Sequence, residues 1–113
     1  MMMSGSLDVL VENIREVCSP DYLICTELEI APGNSGRFTG RVVGLHPYGS
    51  RKKQILSNLQ DKLEIDFGRS VVFANHHSDV HHMELFGEAV AVNPSPELKK
   101  IAQKRGWRIK LWE

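Results

Sequence analysis

"VVFANHHSDVHHMELFGEAVAVNP", Val71 to Pro94, decides the fold. An apolar run, Val71–Ala74, is followed by a polar loop, a short helical stretch and a second apolar run that Pro94 ends. Ser78 and Asp79 open the helical stretch and Gly87 closes it. Continuous apolar runs, rather than alternating ones, suit strands covered on both faces. Strand, helix and strand in that order predict a parallel unit with the helix packed on the sheet. The loop also carries four histidines, His76, His77, His81 and His82, beside Asp79.

The same alternation extends both ways. Downstream, "SPELKKIAQKRG" carries a full set of helix signals: Ser95 as cap, Pro96 first, Glu97 beside it and Gly106 after the end. "WRIKLWE" alternates, with Arg108 and Lys110 on one face, as in an edge strand guarded by charge. Trp107 and Trp112 fall on its opposite faces, one packing inward and the other marking a contact surface or covering a helix. Upstream, "SRKKQILSNLQDKL" is a helix striped by Lys52, Ile55, Leu56, Leu59 and Leu63. "YLIC" is a strand, and residues 26–43 read as a hairpin projecting from the body. "HPYG" reads as a turn. "SLDVLVENIREVC" places Leu7, Leu10, Val11, Ile14, Val17 and Cys18 on one helical face, with Ser6 as cap and Asp8 in the first turn. The predicted class is α/β: a mainly parallel, incomplete Rossmann-like sheet flanked by helices, with a β-hairpin insertion. Ligands of such sheets bind at the carboxyl ends of the strands. Ser4, Lys52 and the loop 75–79 fall toward that edge.

The 113 residues suit a single domain, 1–113, with an ordinary apolar fraction of 42% and a formal net charge of zero. Zero net charge argues against broad binding to nucleic acid or to an anionic membrane. No apolar run approaches the roughly 18 residues of a membrane span. The start lacks a charged n-region, and the expectation is a cytoplasmic protein. Cys18 and Cys25, seven apart, are expected as two buried reduced thiols.

In order and spacing, "SGSLDVLVENI", "YLICTELEI…GRFTGRVVG", "YGSRKKQIL", "ANHHSDVHHMELFGEAVAVNP" and "ELKKIAQKRGWRIKLW" together resemble a haloacid dehalogenase superfamily phosphatase, in its phosphoserine-phosphatase-like branch. The likeness covers the C-terminal portion of such an enzyme, from about Ser4 onward. It implies an aspartate nucleophile in an Asp-x-Asp motif ending a central strand, a serine and a lysine that hold phosphate, and acidic residues that hold magnesium. Matched motif to motif, phosphate binding falls to Ser4 and Lys52, and the metal loop to Asn75 and Asp79. Two departures matter. No Asp-x-Asp motif is present, and Asn75 stands where the first metal carboxylate is expected. The strand before Ser4 is reduced to Met1–Met3. The resemblance puts the nucleophile strand between the strand ending at Ser4 and the strand Val71–Ala74. Without it the chain must slide those strands together, take a strand from a second copy, or pair with a complementary chain. Self-association is the expectation.

Each site residue also has an ordinary reading. Ser4 is either a phosphate ligand or part of a frayed start. Lys52 either binds an anion at a helix start or snorkels, its stem over apolar surface. For Asp79 a capping role is favoured over a cation role. His76, His77, His81 and His82 form a candidate zinc or nickel cluster, with His77 and His81 sharing a face if the helix reaches back to His77. The favoured alternative is a solvated or partner-facing surface. Four functional readings follow: a phosphatase-like fragment acting through association; half of a split magnesium-dependent phosphomonoester hydrolase; a small metal- or anion-binding module; and a remnant without a role.

Overall fold

The computed structural model describes residues 1–33, 36–44 and 46–112. The chain builds β1 (Met2–Leu7), α1 (Asp8–Cys18), β2 (Leu23–Ile30), β3 (Phe38–Val43), α2 (Ser50–Leu63), β4 (Val71–Ala74), α3 (Val80–Met83), β5 (Glu88–Val92), α4 (Pro96–Arg105) and β6 (Arg108–Lys110). Short 3-10 turns at Phe67–Arg69 and His77–Asp79 precede β4 and α3. The class is mixed α/β, as the sequence predicted. The strands form two sheets, β1-β2-β3 and β4-β5-β6.

β5 is the centre of the second sheet, parallel to β4 on one side and to β6 on the other. Its Ala89, Val90 and Ala91 are buried because helices and neighbouring strands leave them no face to water, and Val92 is half-buried. Val72, Val80, Met83, Ala89, Ala91, Leu98 and Ala102 form one apolar core there, with Trp107 and Ile109 packed against it. α4 follows its signals: Ser95 Oγ accepts a hydrogen bond from Leu98 N, Pro96 is first, and Gly106 adopts φ 73°. The close approach of two glycines locks the start of β5. Gly87 N donates to Phe67 O at 2.8 Å, and a Cβ on Gly87 would lie 2.0 Å from Gly68 O.

In the first sheet, β1 is parallel to β2, and β2 is antiparallel to β3. β2 and β3 make the expected hairpin, within which Asn34 and Ser35 lie outside the described residues. The molecule is long, 52 × 33 × 25 Å, with a radius of gyration of 15.7 Å. A compact chain of this length has roughly 13 Å, and a projecting hairpin accounts for the direction of the difference.

Several expectations need correction. β1 runs on to Leu7 rather than stopping at Met3. Ser6 therefore lies in a strand, Leu7 is the N-cap of α1, and no side chain caps that helix. Asp8 is in the first turn as predicted. The α1 stripe is real in pattern but poorly covered: Val11 is buried, while Leu10 and Val17 are 68% and 84% exposed. Cys18 shares that fate and is exposed, whereas Cys25 is half-buried, so Cys18 is not a core thiol. Burial and the Asp8 and Glu27 carboxylates push the Cys25 thiol up from its ordinary range. The last strand is short, and Trp112 lies beyond it, 56% exposed and stacked on Phe73 with ring centres 6.1 Å apart.

Candidate functional site

α2 starts where Gly49, at φ 57°, turns the chain into Ser50. Lys52 thus falls in its first turn and on the inward stripe. A cation there opposes the helix dipole, so its placement does not serve the helix. Its side chain is 13% exposed, and Nζ donates to Asp79 Oδ1 at 2.7 Å. The snorkelling alternative is thereby set aside, because the ammonium faces a carboxylate inside. Asp79 follows β4 through the 3-10 turn, and its side chain is 8% exposed. It makes no side-chain capping bond at the start of α3, which corrects the favoured capping role. The pair ties the start of α2 to the loop after β4. Two buried charges are poor evidence for stability, because desolvation offsets much of their attraction.

His82 completes this cluster. It is 5% exposed, and Nδ1 lies 3.9 Å from Asp79 Oδ1 without a hydrogen-bond partner among the described residues. Burial drives its pKa down to about 4; Asp79 opposes this, while Lys52 and His81 add to it. The ring is therefore neutral at pH 7.

The other three histidines face three settings. His76 Nδ1 accepts from Ser78 N at 3.2 Å and lies 2.8 Å from Ser78 Oγ. The His77 ring lies against that of His76 at a 35° tilt, ring centres 4.1 Å apart, and His77 Nδ1 is 3.7 Å from Glu97 Oε2. His81 is exposed. α3 begins only at Val80, so His77 and His81 do not share an α-helical face. Among the described residues no three His, Cys, Asp or Glu side chains are placed to hold a metal together. The zinc or nickel cluster of His76, His77, His81 and His82 is thus not assembled: His76 and His77 lie together, but His81 is exposed and His82 is buried beside Asp79.

Magnesium favours a compact shell of oxygens rich in carboxylate. Of the two matched residues, Asp79 commits Oδ1 to Lys52 and Asn75 carries no charge. Asn75 instead joins the loop to α4, its backbone oxygen accepting from Ser95 N at 2.8 Å. The donor type is right, but the charge is too low. These residues do not by themselves fit a magnesium ion.

Ser4 sits in β1, where the pairing register with β2 shifts between Met3 and Leu7. Its Oγ accepts from Ser6 N at 3.1 Å. No hydrogen bond joins it to Lys52 or Asp79 among the described residues. Beside it is a contact the sequence reading missed. Thr26 Oγ1 donates to Gly5 O at 2.7 Å and lies 2.6 Å from His46 Nδ1. One hydroxyl has one proton, so His46 Nδ1–H must donate to Thr26, which leaves Nε2 as the acceptor in the neutral ring. Gly5 permits this packing, since a Cβ there would meet Pro47 O at 3.2 Å and the His46 ring at 3.5 Å. The stretch "HPYG" predicts a turn, and the structure adds this contact to it. The signal in the sequence was a histidine shortly before the helix that carries Lys52.

The model of the haloacid dehalogenase-like hydrolase family matches residues 1–84, which include Ser4, Lys52 and Asp79. The chain belongs to that family. Phosphoserine phosphatase SerB1 of Mycobacterium tuberculosis is 33% identical over 81 residues, which are 72% of this chain and 26% of that protein. A solved structure of a probable phosphoserine phosphatase from Vibrio cholerae has 28% identity and a TM-score of 0.72, covering 89% of this chain and 30% of that one. A Bordetella pertussis protein of unknown function reaches a TM-score of 0.79 at 27% identity, over 92% of this chain and 47% of that one. The haloacid dehalogenase-like chain is therefore of the phosphoserine-phosphatase-like branch. It spans about a quarter to a half of the length of these three relatives. No helix among its described residues is long and apolar enough to cross a membrane.

Proposed function

We propose that these 113 residues are the phosphate-holding portion of a phosphomonoester hydrolase whose nucleophile comes from chain outside them. The observation that carries this reading is the buried Lys52–Asp79 contact, which holds an ammonium group in the first turn of α2 against the loop after β4. A lysine ammonium is a compact charge with three donors, suited to phosphoryl oxygens. Asp79 keeps Nζ in place; Ser4 adds a hydroxyl at the irregular stretch of β1. The carboxylate that bonds to phosphorus is absent from the sequence as an Asp-x-Asp motif. With it supplied, the phosphoryl group passes from the ester oxygen to that carboxylate and then to water, and the alcohol leaves with a proton. The substrate class is a small phosphate monoester. The chain acts in association, and the residues here are silent alone.

The test is a phosphatase assay on the purified chain with p-nitrophenyl phosphate, then on the chain co-expressed with an Asp-x-Asp-bearing portion of a related phosphatase. The expected result is no turnover alone and turnover together, lost on Lys52→Ala. Turnover by the chain alone that disappears in Lys52→Ala would overturn the reading.

A further inference from the structure

β1 and β2 lose step around Ser4. Met3 pairs with Ile24 and Leu7 with Thr26, so Ser4, Gly5 and Ser6 face Cys25 alone. Such a bulge leaves backbone groups to be satisfied another way, and it re-aims the side chains it carries. Here Gly5 O accepts from a side chain, the Thr26 hydroxyl, at 2.7 Å. Thr26 is 2% exposed and spends its one proton there. His46 Nδ1–H, 2.6 Å away, donates to the same hydroxyl oxygen. A valine would suit an apolar strand position as well in shape; what threonine adds is the hydroxyl, and its bond goes to the bulge. The chain from His46 then leads directly to Lys52. Tyr48 N donates to His46 O at 2.8 Å, Arg51 N to Tyr48 O at 3.2 Å and Lys52 N to Gly49 O at 3.2 Å. One polar relay thus joins the residue after Ser4 to the helical turn that carries Lys52. Within the bulge, Ser4 Oγ accepts from Ser6 N at 3.1 Å, and its own hydrogen has no acceptor among the described residues.

We propose that Thr26 and His46 are positioning residues for phosphate: they fix the β1 bulge that carries Ser4 and hold it at a set spacing from the first turn of α2 that carries Lys52. The inference rests on the phosphate-holding reading and deepens it. Neither side chain touches phosphate; each acts through the segment it holds. The Thr26 hydroxyl orders the bulge by taking up the Gly5 carbonyl. The His46 Nδ1–H keeps that hydroxyl turned toward Gly5 by donating to its oxygen. The bonds are in series, so removing either side chain loosens Ser4 and Lys52 together. The contact is specific to one ring nitrogen. An asparagine at 46 places its amide where Nδ1 is and keeps the donor, whereas a glutamine places its amide where Nε2 is and loses it.

The test is an NMR titration of the full chain with inorganic phosphate, read at the amides of Ser4–Ser6 and Arg51–Lys52. Long-range nitrogen–proton spectra of His46 are recorded alongside. The expected result is a joint, saturable shift at both segments and a His46 ring that carries its proton on Nδ1. Thr26→Val and His46→Gln weaken phosphate about tenfold and uncouple the two segments, while the resonances of Ala89–Ala91 stay in place and report an intact core. Thr26→Ser and His46→Asn restore both affinity and coupling. A neutral His46 protonated on Nε2, wild-type affinity in Thr26→Val and His46→Gln, or equal losses in the Ser and Asn variants would overturn the proposal. Lys52→Ala separates the two readings. If it abolishes the phosphate response while Thr26→Val and His46→Gln do not weaken it, the functional reading stands and the inference fails. If phosphate leaves both segments unmoved, or Lys52→Ala responds like the wild type, the functional reading fails and the inference falls with it.

Discussion

Around β5, seven apolar side chains close into a core, and Met83, Ala91, Leu98 and Ala102 have no exposed surface. Around β2 the picture is different. Val11, Thr26 and Pro47 are buried, but Val9, Leu10, Val17, Ile30, Phe38, Val42 and Val43 are substantially exposed. Both regions have amphipathic helices and apolar strands. The difference is in cover: β5 has a strand on each side and helices against its faces, whereas α1 and the hairpin present apolar surface that nothing described covers. A hydrophobic pattern is necessary for a core, but a second surface must meet it. The Lys52–Asp79 contact sits at the boundary of the two regions, where α2 meets the loop after β4.

This contrast can be broken most severely at that boundary. Lys52→Ala is expected to cost about 3–5 kcal/mol of stability, because it leaves a buried carboxylate without its partner. The double change Lys52→Met with Asp79→Leu should cost much less than the sum, which urea unfolding of the four-member cycle will measure. In the covered region, Leu98→Ala should cost about 2–5 kcal/mol as a cavity opens. Leu10→Ala in the open region should stay within about 0.5 kcal/mol, and equal losses at both positions would erase the comparison.

The pH dependence is a smaller effect. His82 has a folded pKa of about 4, below its ordinary 6.5, so the unfolded chain binds the proton more readily. Stability is then full above about 6.5 and is lost as pH falls from 6.5 toward 4. The loss should be on the order of 1–3 kcal/mol. His82→Leu should flatten this limb when melting is followed from pH 7.5 to 4.5, without a large penalty at pH 7, since it removes an unpartnered Nδ1. Smallest is the cap. Ser95→Ala should cost about 1 kcal/mol by losing the bond from Leu98 N, a difference readable as a shift in urea midpoint.

Legibility followed the same divide. α2 matches the predicted stretch Ser50–Leu63, and α4 begins at Pro96 after its Ser95 cap. These helices carry their signals locally, in capping residues and a 3.6-residue period. Lys52 on the inward stripe was equally readable. Its partner was not. Asp79 is 27 residues away, and a first-turn carboxylate looks like a cap until the fold brings Lys52 to it. The Thr26–His46 contact, 20 residues apart, was hidden for the same reason.

The sequence by itself determined the alternation of strands and helices, the inward stripe of α2, the family, and the lack of an Asp-x-Asp motif, because each is written in neighbouring residues or in their order. Only the tertiary structure decided which apolar faces are covered, which carboxylate meets Lys52, and that β1 and β4 stay apart as open edges. Those are outcomes of packing between distant segments, where solvent exposure and geometry, not local pattern, set the free energy.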